Sequence, residues 1–459
     1  MLIYTSPVLG LICPYPWQTI VRPPGPKHWD AFLRNAKRVR VLHLRDSGGL
    51  TQRAFHILSL QRPVLHLFPN LKHLSIQHSW SPTSRNDVIP YGNLLVGPSL
   101  EGIDIASGSD LVILSVLEKV QHTTDRIRRI LISSPSNSTH SAAKLEIHAA
   151  LAGVVAGSSK YLKELSISTH TIDAHVFSRL LASPSFHDLS FHIGRNNGDL
   201  VSAAIESSIE SSPFTSLKHL TLNHIDLHAS PTISLVKALG KRLLSLDITC
   251  IQRPSLTCLA TLFEAVASHH RLSDFTIDMS YFARRIDSTE MVGIGTLRPL
   301  LKLPLIVLGV GVLPVRLSSG DILEVARSLP EISVLTLQPN GRLPVAPVNP
   351  AKLEELTHFA EYCSDMKVLE VWVDARRVTI DETRPGKGRV AGLLDSFNPG
   401  CSPISDPEIV AAFLSDIFPN LQPSIDDDDL DTKWEIVQRL VGAFTKVRNQ
   451  ERRSRNITN

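Results

Sequence analysis

The chain repeats a short alternation of apolar and polar residues that is typical of a β-strand with one buried face and one solvated face. The clearest copy is LKELSIS, which begins at Leu162 and carries apolar residues at its first, fourth and sixth places. We call each copy a strand phrase. There are twelve of them, separated by 24 to 35 residues, and this regular recurrence predicts a repeat protein. They begin at Val39, Leu71, Leu100, Ile127, Leu162, Phe186, Leu217, Leu243, Leu272, Leu305, Ile332 and Met366.

Segments with a helical periodicity lie between several strand phrases. In residues 254–270, for example, Leu259 and Phe263 are four residues apart and fall on one face of a helix. Similar patterns occur in residues 171–183, 319–329 and 351–362. Each repeat is therefore expected to consist of a strand, a turn, a helix and a return loop.

Parallel strands joined by helices can form either a closed (β/α) barrel or an open solenoid. The strands of a barrel are covered on both faces and are almost continuously apolar. Here the third and fifth places of the phrases are mostly polar, as at Glu164 and Ser166, and twelve repeats exceed the eight of a barrel. The sequence therefore predicts an α/β fold in which the repeats form an open solenoid.

The two ends of the chain differ from the repeats. Residues 29–36 have the pattern of a short helix, and the strand phrases stop after Asp374. Two helices are predicted near the C-terminus, with six apolar residues that pack on the last phrase or on each other: Ile409, Phe413, Ile417, Trp434, Val437 and Val441. The predicted domains are an N-terminal arm at 1–38, a solenoid at 39–374, a linker or surface loop at 375–404, and a helical cap with a basic tail at 405–459.

Composition limits the classes of function. The chain has 459 residues and a net charge of +3, which does not favour nucleic-acid binding. Its five cysteines are widely spaced, so no disulfide framework is expected and a cytoplasmic or nuclear location fits best. The sequence contains no uninterrupted run of about 20 apolar residues, so no membrane span is predicted. The first 21 residues are uncharged but contain three prolines, so no signal peptide is expected.

The sequence carries no recognised catalytic motif. GxSxG, P-loop, HExxH and GxGxxG patterns are absent, and the 19 histidines are scattered without the spacing of metal ligands. Asp274 and Asp278 lie on one face of a predicted strand, and we interpret them as a solvated face rather than a catalytic pair. We therefore expect no enzymatic activity, no cofactor and no metal, with an enzyme on a (β/α) scaffold as the alternative.

The phrase L-x-x-L-x-L resembles the leucine-rich repeat, although the asparagine or cysteine usual at its ninth place is mostly missing. An irregular horseshoe with about twelve strand–helix units is therefore expected. The order of the 29–36 helix, VRVLHLRDS, LKHLSI-like phrases and SDPEIVAAFLSDIFPNL resembles the F-box/leucine-rich-repeat proteins of mushroom-forming fungi.

That resemblance implies the substrate-recognition part of a receptor for an SCF ubiquitin ligase. In that family an F-box of roughly 45 residues docks on the Skp adaptor, and the repeats hold the substrate. Residues 1–38 are too short and too rich in proline to supply an F-box. Skp binding is therefore expected only if an F-box lies upstream, and an adaptor without a ubiquitin role is the alternative.

The open strand face is the predicted binding surface, on the concave side of the solenoid. Its candidate partner-binding residues are Glu164, Asp188, His192, Asn223, Asp247, Asp274, Asp278 and Trp372. The C-terminal phrases are apolar on this face, at Val307, Gly309, Gly311, Val334, Val368 and Trp372. This pattern suits a protein segment with Lys or Arg beside a hydrophobic anchor. The alternative is an incidental solvated face with Trp372 covered by the 375–403 segment.

Overall fold

The computed structural model describes residues 25–45, 59–77, 94–107, 110–133, 141–171, 180, 183, 185–192, 216–228, 232–279, 290–338, 350–378, 390–421 and 432–458. The chain divides into two compact units. The first consists of residues 1–223 and 238–240, and the second of residues 224–237 and 241–459.

The first unit is built from parallel strands that hydrogen-bond in chain order. Its strands are β1 (Val41–Arg45), β2 (His73–Gln77), β3 (Gly102–Ala106), β4 (Arg129–Ser133), β5 (Glu164–Thr171), β6 (Asp188–His192) and β7 (His219–Ile225). The last two residues of β7 belong to the second unit. Its helices are α1 (Pro26–Ala36), α2 (Asp110–Thr123) and α3 (Ser141–Ser158).

The register of these strands aligns the apolar places of successive phrases. Leu165 in β5 lies beside Ile130 in β4 and Leu189 in β6, so each fourth place meets the next. All the apolar places of the phrases are buried except Val39 and Leu44 in the first copy, which are half-buried. The predicted parallel pairing is thus confirmed within this unit.

The second unit continues the same alternation. Its strands are β8 (Ser245–Cys250), β9 (Asp274–Met279), β10 (Val307–Val310), β11 (Val334–Thr336), β12 (Ala351–Lys352), β13 (Val368–Glu370), β14 (Val373–Asp374) and β15 (Ser396–Asn398). Strands β8, β9, β10, β11, β13 and β15 pair in parallel in that order, and β12 pairs in parallel with β14.

The helices of the second unit follow most of its strands. They are α4 (Thr232–Ala238, whose last residue belongs to the first unit), α5 (Leu256–Val266), α6 (Ile294–Leu297), α7 (Ser319–Ser328), α8 (Thr357–Tyr362), α9 (Pro407–Ile417) and α10 (Thr432–Thr458). Two 3₁₀ turns lie at Leu300–Lys302 and Leu353–Leu356. No helix among the described residues is long and apolar enough to cross a membrane.

The structure confirms some helix predictions and corrects others. The 29–36, 254–270 and 319–329 patterns fold as α1, α5 and α7. The 351–362 segment is divided instead, because Ala351–Lys352 pairs as a strand and the α-helix begins only at Thr357. Thr171, expected at the start of a helix, ends β5, and most of the 171–183 prediction lies outside the described residues.

Strand β15 lies in the 375–404 segment that was expected to be a linker. Its Phe397 is aligned with Leu369 of β13, and Leu394 is buried at the place of a phrase's first residue. The phrase is therefore L-x-x-F followed by Pro399 at the sixth place, where the other copies have an apolar residue that can donate a backbone hydrogen bond. The prediction that strands end at Asp374 is wrong by one strand.

Helices α9 and α10 pack against each other, as predicted, and α10 also contacts β15. Asp406 caps α9 by accepting hydrogen bonds from the backbone N–H groups of Glu408 and Ile409. Trp434 of α10 stacks edge-on against Phe397, with 6.1 Å between ring centroids, and donates its indole N–H to the Ser402 carbonyl at 2.8 Å. The apolar edge of the last strand is therefore covered by these helices.

An ion pair joins the two cap helices. Arg448 Nη1 lies 2.6 Å from Asp416 Oδ1, and the Asp416 side chain is only 4% exposed. Arg448 also donates to the Ala412 carbonyl at 3.0 Å. Of the six residues predicted to pack here, five are buried and Ile409 is half-buried.

We expect Leu165→Asp to lower the free energy of unfolding of the first unit by more than about 4 kcal/mol, because it removes a fully buried side chain and places a charge among apolar neighbours. Hydrogen–deuterium exchange should rise across β4, β5 and β6. Ser166→Asp is the control, since its side chain lies on the other face of the strand, and should cost less than about 1 kcal/mol. Equal effects of the two substitutions would contradict the buried alternation.

We expect Trp434→Ala to destabilise the second unit by about 3–5 kcal/mol, because the side chain is fully buried and its indole fills the space beside Phe397. Urea denaturation measures the change. Ile436→Ala on the same helix is the control, because Ile436 is 36% exposed and its loss should cost less than about 1 kcal/mol. Equal losses of stability in the two variants would show that α10 does not cover β15.

Candidate functional site

In the first unit, the predicted acidic residues lie side by side but are paired with basic residues. Glu164 and Asp188 are aligned on β5 and β6. Arg129 Nε lies 3.2 Å from Glu164 Oε2, and His219 Nε2 lies 3.8 Å from Asp188 Oδ1. Burial raises the pKa of Glu164 above its usual value, while the Arg129 charge opposes this and the Asp188 charge adds to it. This part of the polar face therefore carries both signs of charge.

The next strand positions hold two further candidates. His192, the last residue of β6, is aligned with Asn223 within β7. The Asn223 side-chain amide donates a hydrogen bond to Ser190 Oγ at 3.4 Å, so it joins the two strands across the polar face. Asn223 thus has a structural partner within its own unit.

In the second unit, β8 and β9 carry three aspartates that accept hydrogen bonds from neutral donors. Asp247 Oδ1 accepts a hydrogen bond from Thr276 Oγ1 at 2.6 Å, and Asp274 accepts one from Ser273. Asp278 Oδ1 accepts from the backbone N–H of Met279 at 2.7 Å. These donors satisfy the oxygens without cancelling their charge. Burial raises the pKa of Asp278 above its usual value, the hydrogen bond from the Met279 N–H opposes this, and the repulsion from Asp247 adds to it.

Two side chains of β9 lie over glycines in or just after the neighbouring strand β10. A Cβ on Gly311, just after β10, would come within 2.5 Å of Asp278 Oδ1, and one on Gly309 within 3.1 Å of Thr276 Cγ2. The glycines therefore do not form an open apolar surface. They allow the β9 side chains to lie against the backbone of the neighbouring strand.

The prediction that Trp372 is an exposed anchor is wrong. Trp372 is only 6% exposed. Gly400 adopts φ +54°, and a Cβ there would lie 2.9 Å from Trp372 Nε1 and 2.4 Å from Gln338 Oε1. Gln338 in turn donates to the Asn398 carbonyl at 2.9 Å. Trp372 is thus covered by the segment around β15, which is the alternative that the sequence left open.

A different apolar surface is present on the same face. Val307, Val334 and Val368 are aligned on β10, β11 and β13, and all three are half-buried. We call them the valine row. Asp274 is aligned with Val307 and so lies at one end of the row. The arrangement places one carboxylate beside an apolar strip, as expected from sequence, with valines in place of the tryptophan.

Sequence reasoning missed the residues that hold these candidates in place. Thr276, which donates to Asp247, occupies the fifth place of the phrase after that of Asp247, and this spacing was a usable signal. Gly400 had no such signal, because its role depends on a strand that was not predicted. Among the described residues, no cluster of three or more His, Cys, Asp or Glu side chains has a geometry that could hold a metal ion.

Comparison with known proteins gives similarity to solved structures alone. No family model matches the chain, and no curated protein does. The chain is similar to a chain in the crystal structure of the Rad7 and Elc1 complex in yeast, with 15% sequence identity and a TM-score of 0.43. The alignment covers 73% of this chain and 76% of that chain.

We expect Gly311→Ala to lower the free energy of unfolding by about 1–3 kcal/mol, because the new methyl group overlaps the Asp278 carboxylate. In an Asp278→Ala background the same substitution should cost at least about 1 kcal/mol less. Gly295→Ala is the control, since nothing lies within 4 Å of its added Cβ. Urea denaturation of the four proteins of the cycle provides the measurement, and a coupling energy of zero would contradict the close approach.

Proposed function

We propose that this chain is a non-enzymatic scaffold that binds a protein on the strand face not buried in the core. The observation that carries this proposal is the alternation of burial in both units. In β4 and β8, for example, the fourth and sixth places of the phrase are buried while the residues between them are partly exposed. In repeat proteins of this kind the open strand face is an extended surface used for binding.

The most favourable part of this surface is Asp274 with the valine row. Neighbouring strands are about 4.8 Å apart, so the row extends about 10 Å from Val307 to Val368. That length matches about three residues of an extended peptide. The Asp274 carboxylate accepts a hydrogen bond from the neutral hydroxyl of Ser273, and its charge is available to a cation. We therefore propose a partner segment with Lys or Arg followed within a few residues by apolar side chains.

A more specific proposal comes from the sequence resemblance. The segment SDPEIVAAFLSDIFPNL, which carries part of that resemblance, forms α9 of the cap. On this basis we propose the substrate-recognition part of an F-box-type receptor for an SCF ubiquitin ligase, acting in the cytoplasm or nucleus. The four described cysteines are free, which is compatible with a reducing compartment.

A pull-down with the Skp adaptor tests the more specific proposal. Two proteins are compared: residues 1–459, and the same chain extended by the coding sequence upstream of Met1. Binding by the extended protein alone supports an F-box-type receptor. Failure of both proteins would overturn the ubiquitin role, leaving a repeat adaptor that binds its partner by the same face.

We expect Asp274→Lys and Val334→Asp each to weaken partner binding about tenfold or more, the first by charge reversal and the second by placing a charge in the valine row. The probe is an array of peptides that pair Lys or Arg with apolar residues, followed by affinity measurement on the strongest binder. The Asp274→Lys effect should shrink at high salt, because screening weakens the ionic contribution.

Ile306→Asp is the matched control for the apolar substitution. Ile306 is adjacent to Val307 in sequence and 42% exposed, but it lies outside the valine row. It should leave the affinity within about twofold of the parent. If the folded Asp274→Lys and Val334→Asp proteins bind as the parent does, the partner does not use this surface.

A further inference from the structure

A cysteine and a histidine meet at the turns of two successive repeats in the second unit. His228 follows β7, and Cys258 is the third residue of α5. The two are 30 residues apart, which is the length of about one repeat, so stacking of the repeats brings equivalent turns together. Cys258 Sγ lies 3.6 Å from His228 Nδ1, within hydrogen-bonding reach for sulfur.

A backbone carbonyl orients the imidazole. His228 Nε2 is 3.1 Å from the Arg253 carbonyl oxygen. Because a carbonyl oxygen can only accept, the neutral ring donates from Nε2 and leaves the Nδ1 lone pair facing the thiol. The backbone N–H of His228 also donates to Asp226 Oδ1 at 3.1 Å, which fixes the turn. A nucleophile, a base and a group that orients the base are thus connected by successive contacts.

The helix start adds to this setting. Ser255 is the N-cap of α5, and its hydroxyl accepts a hydrogen bond from the backbone N–H of Cys258 at 3.3 Å. Cys258 therefore lies in the first turn, where the helix dipole favours negative charge. The side chain of His228 is exposed and Cys258 is partly exposed, so a small reagent in solvent can reach the sulfur.

The other described cysteines have different surroundings. Cys250 and Cys363 are buried, and burial raises the pKa of each to about 12. Cys363 donates to the carbonyl oxygens of Ala326 and Leu329, both at 3.5 Å. Cys401 is an exposed residue, but partial burial of its sulfur raises the pKa of its thiol as well. Cys401 thus differs from Cys258 in being a more exposed residue whose thiol has no hydrogen-bonded histidine among the described residues, and it serves as an internal reference.

We propose that Cys258, with His228 as its proton acceptor, is a modification site for low-molecular-weight disulfides such as oxidised glutathione. The thiol proton moves to His228 Nδ1, and the sulfur attacks one sulfur of the disulfide. The disulfide bond breaks as the mixed disulfide forms. The departing thiolate then takes the proton back from His228 and leaves as a free thiol. This site is independent of the partner-binding face proposed above.

The test uses the full chain with Cys13 replaced by Ser in every variant, since Cys13 lies outside the described residues. The folded protein is treated with oxidised glutathione at neutral pH, and mass spectrometry follows each cysteine separately. We expect Cys258 to react at least about tenfold faster than Cys401, although Cys401 is the more exposed. In urea that unfolds the chain, the two rates should become similar.

His228→Asn tests the role of the base. We expect this substitution to lower the reaction rate of Cys258 at least about tenfold and to leave the reaction rate of Cys401 and the melting temperature unchanged. His270→Asn is the matched control, because His270 is an exposed histidine beyond the end of α5, and it should change neither rate. Iodoacetamide, a small electrophile, should give the same order of rates as the disulfide.

Two results would overturn the proposal. One is a Cys258 rate in the folded parent that does not exceed that of Cys401. The other is a folded His228→Asn protein in which Cys258 reacts as in the parent. If His228→Asn does not fold, the ratio of the Cys258 and Cys401 rates in folded and unfolded parent decides the question alone.

Discussion

The structure depends on the burial of each strand's apolar places against the strands next to it. Leu165 is fully buried with Ile130 and Leu189 aligned on either side, and the same relation holds for the fourth places of β8 and β9 in the second unit. A single repeat cannot bury this surface by itself, because one strand and one helix leave both edges open to water. Parallel pairing in a constant register supplies the missing contacts and fixes which residues face each other.

The same register has chemical consequences, since it places residues that are about one repeat apart in direct contact. Thr276 donates to Asp247, Arg129 pairs with Glu164, and His228 reaches Cys258 for this one reason. A side chain in such a fold therefore contacts residues about 24 to 35 positions away in sequence. Both the polar strand face and the cysteine–histidine pair arise because successive repeats are stacked in register, although the two sites differ in position and in chemistry.

The C-terminal end shows how the series of strands is closed. A parallel strand at an edge exposes backbone groups and apolar side chains that would otherwise attract another chain. Strand β15 ends at Asn398, followed by Pro399, which has no backbone N–H to donate, and by Gly400 in the left-handed region. Trp434 and the other buried residues of α10 then cover Phe397. The turn at Pro399 and Gly400 that ends β15 also covers Trp372. Trp372 is therefore buried and is not the exposed anchor that was expected on the binding face.

The sequence by itself determined the strand phrases, their parallel order, the solvated places between them and the helices α1, α5, α7, α9 and α10. These follow from local periodicity, which a chain of repeats preserves because every copy must solve the same burial problem. It also identified Asp247, Asp274, Asp278 and the three valines as residues of one strand face. Only the tertiary structure decided that Glu164 and Asp188 have basic partners, that Trp372 is buried, and that β15 extends the strands. Those outcomes depend on which side chains meet across repeats of unequal length, and on a φ of +54° at Gly400. Local periodicity carries no information about either, because both are set by contacts between residues distant in sequence.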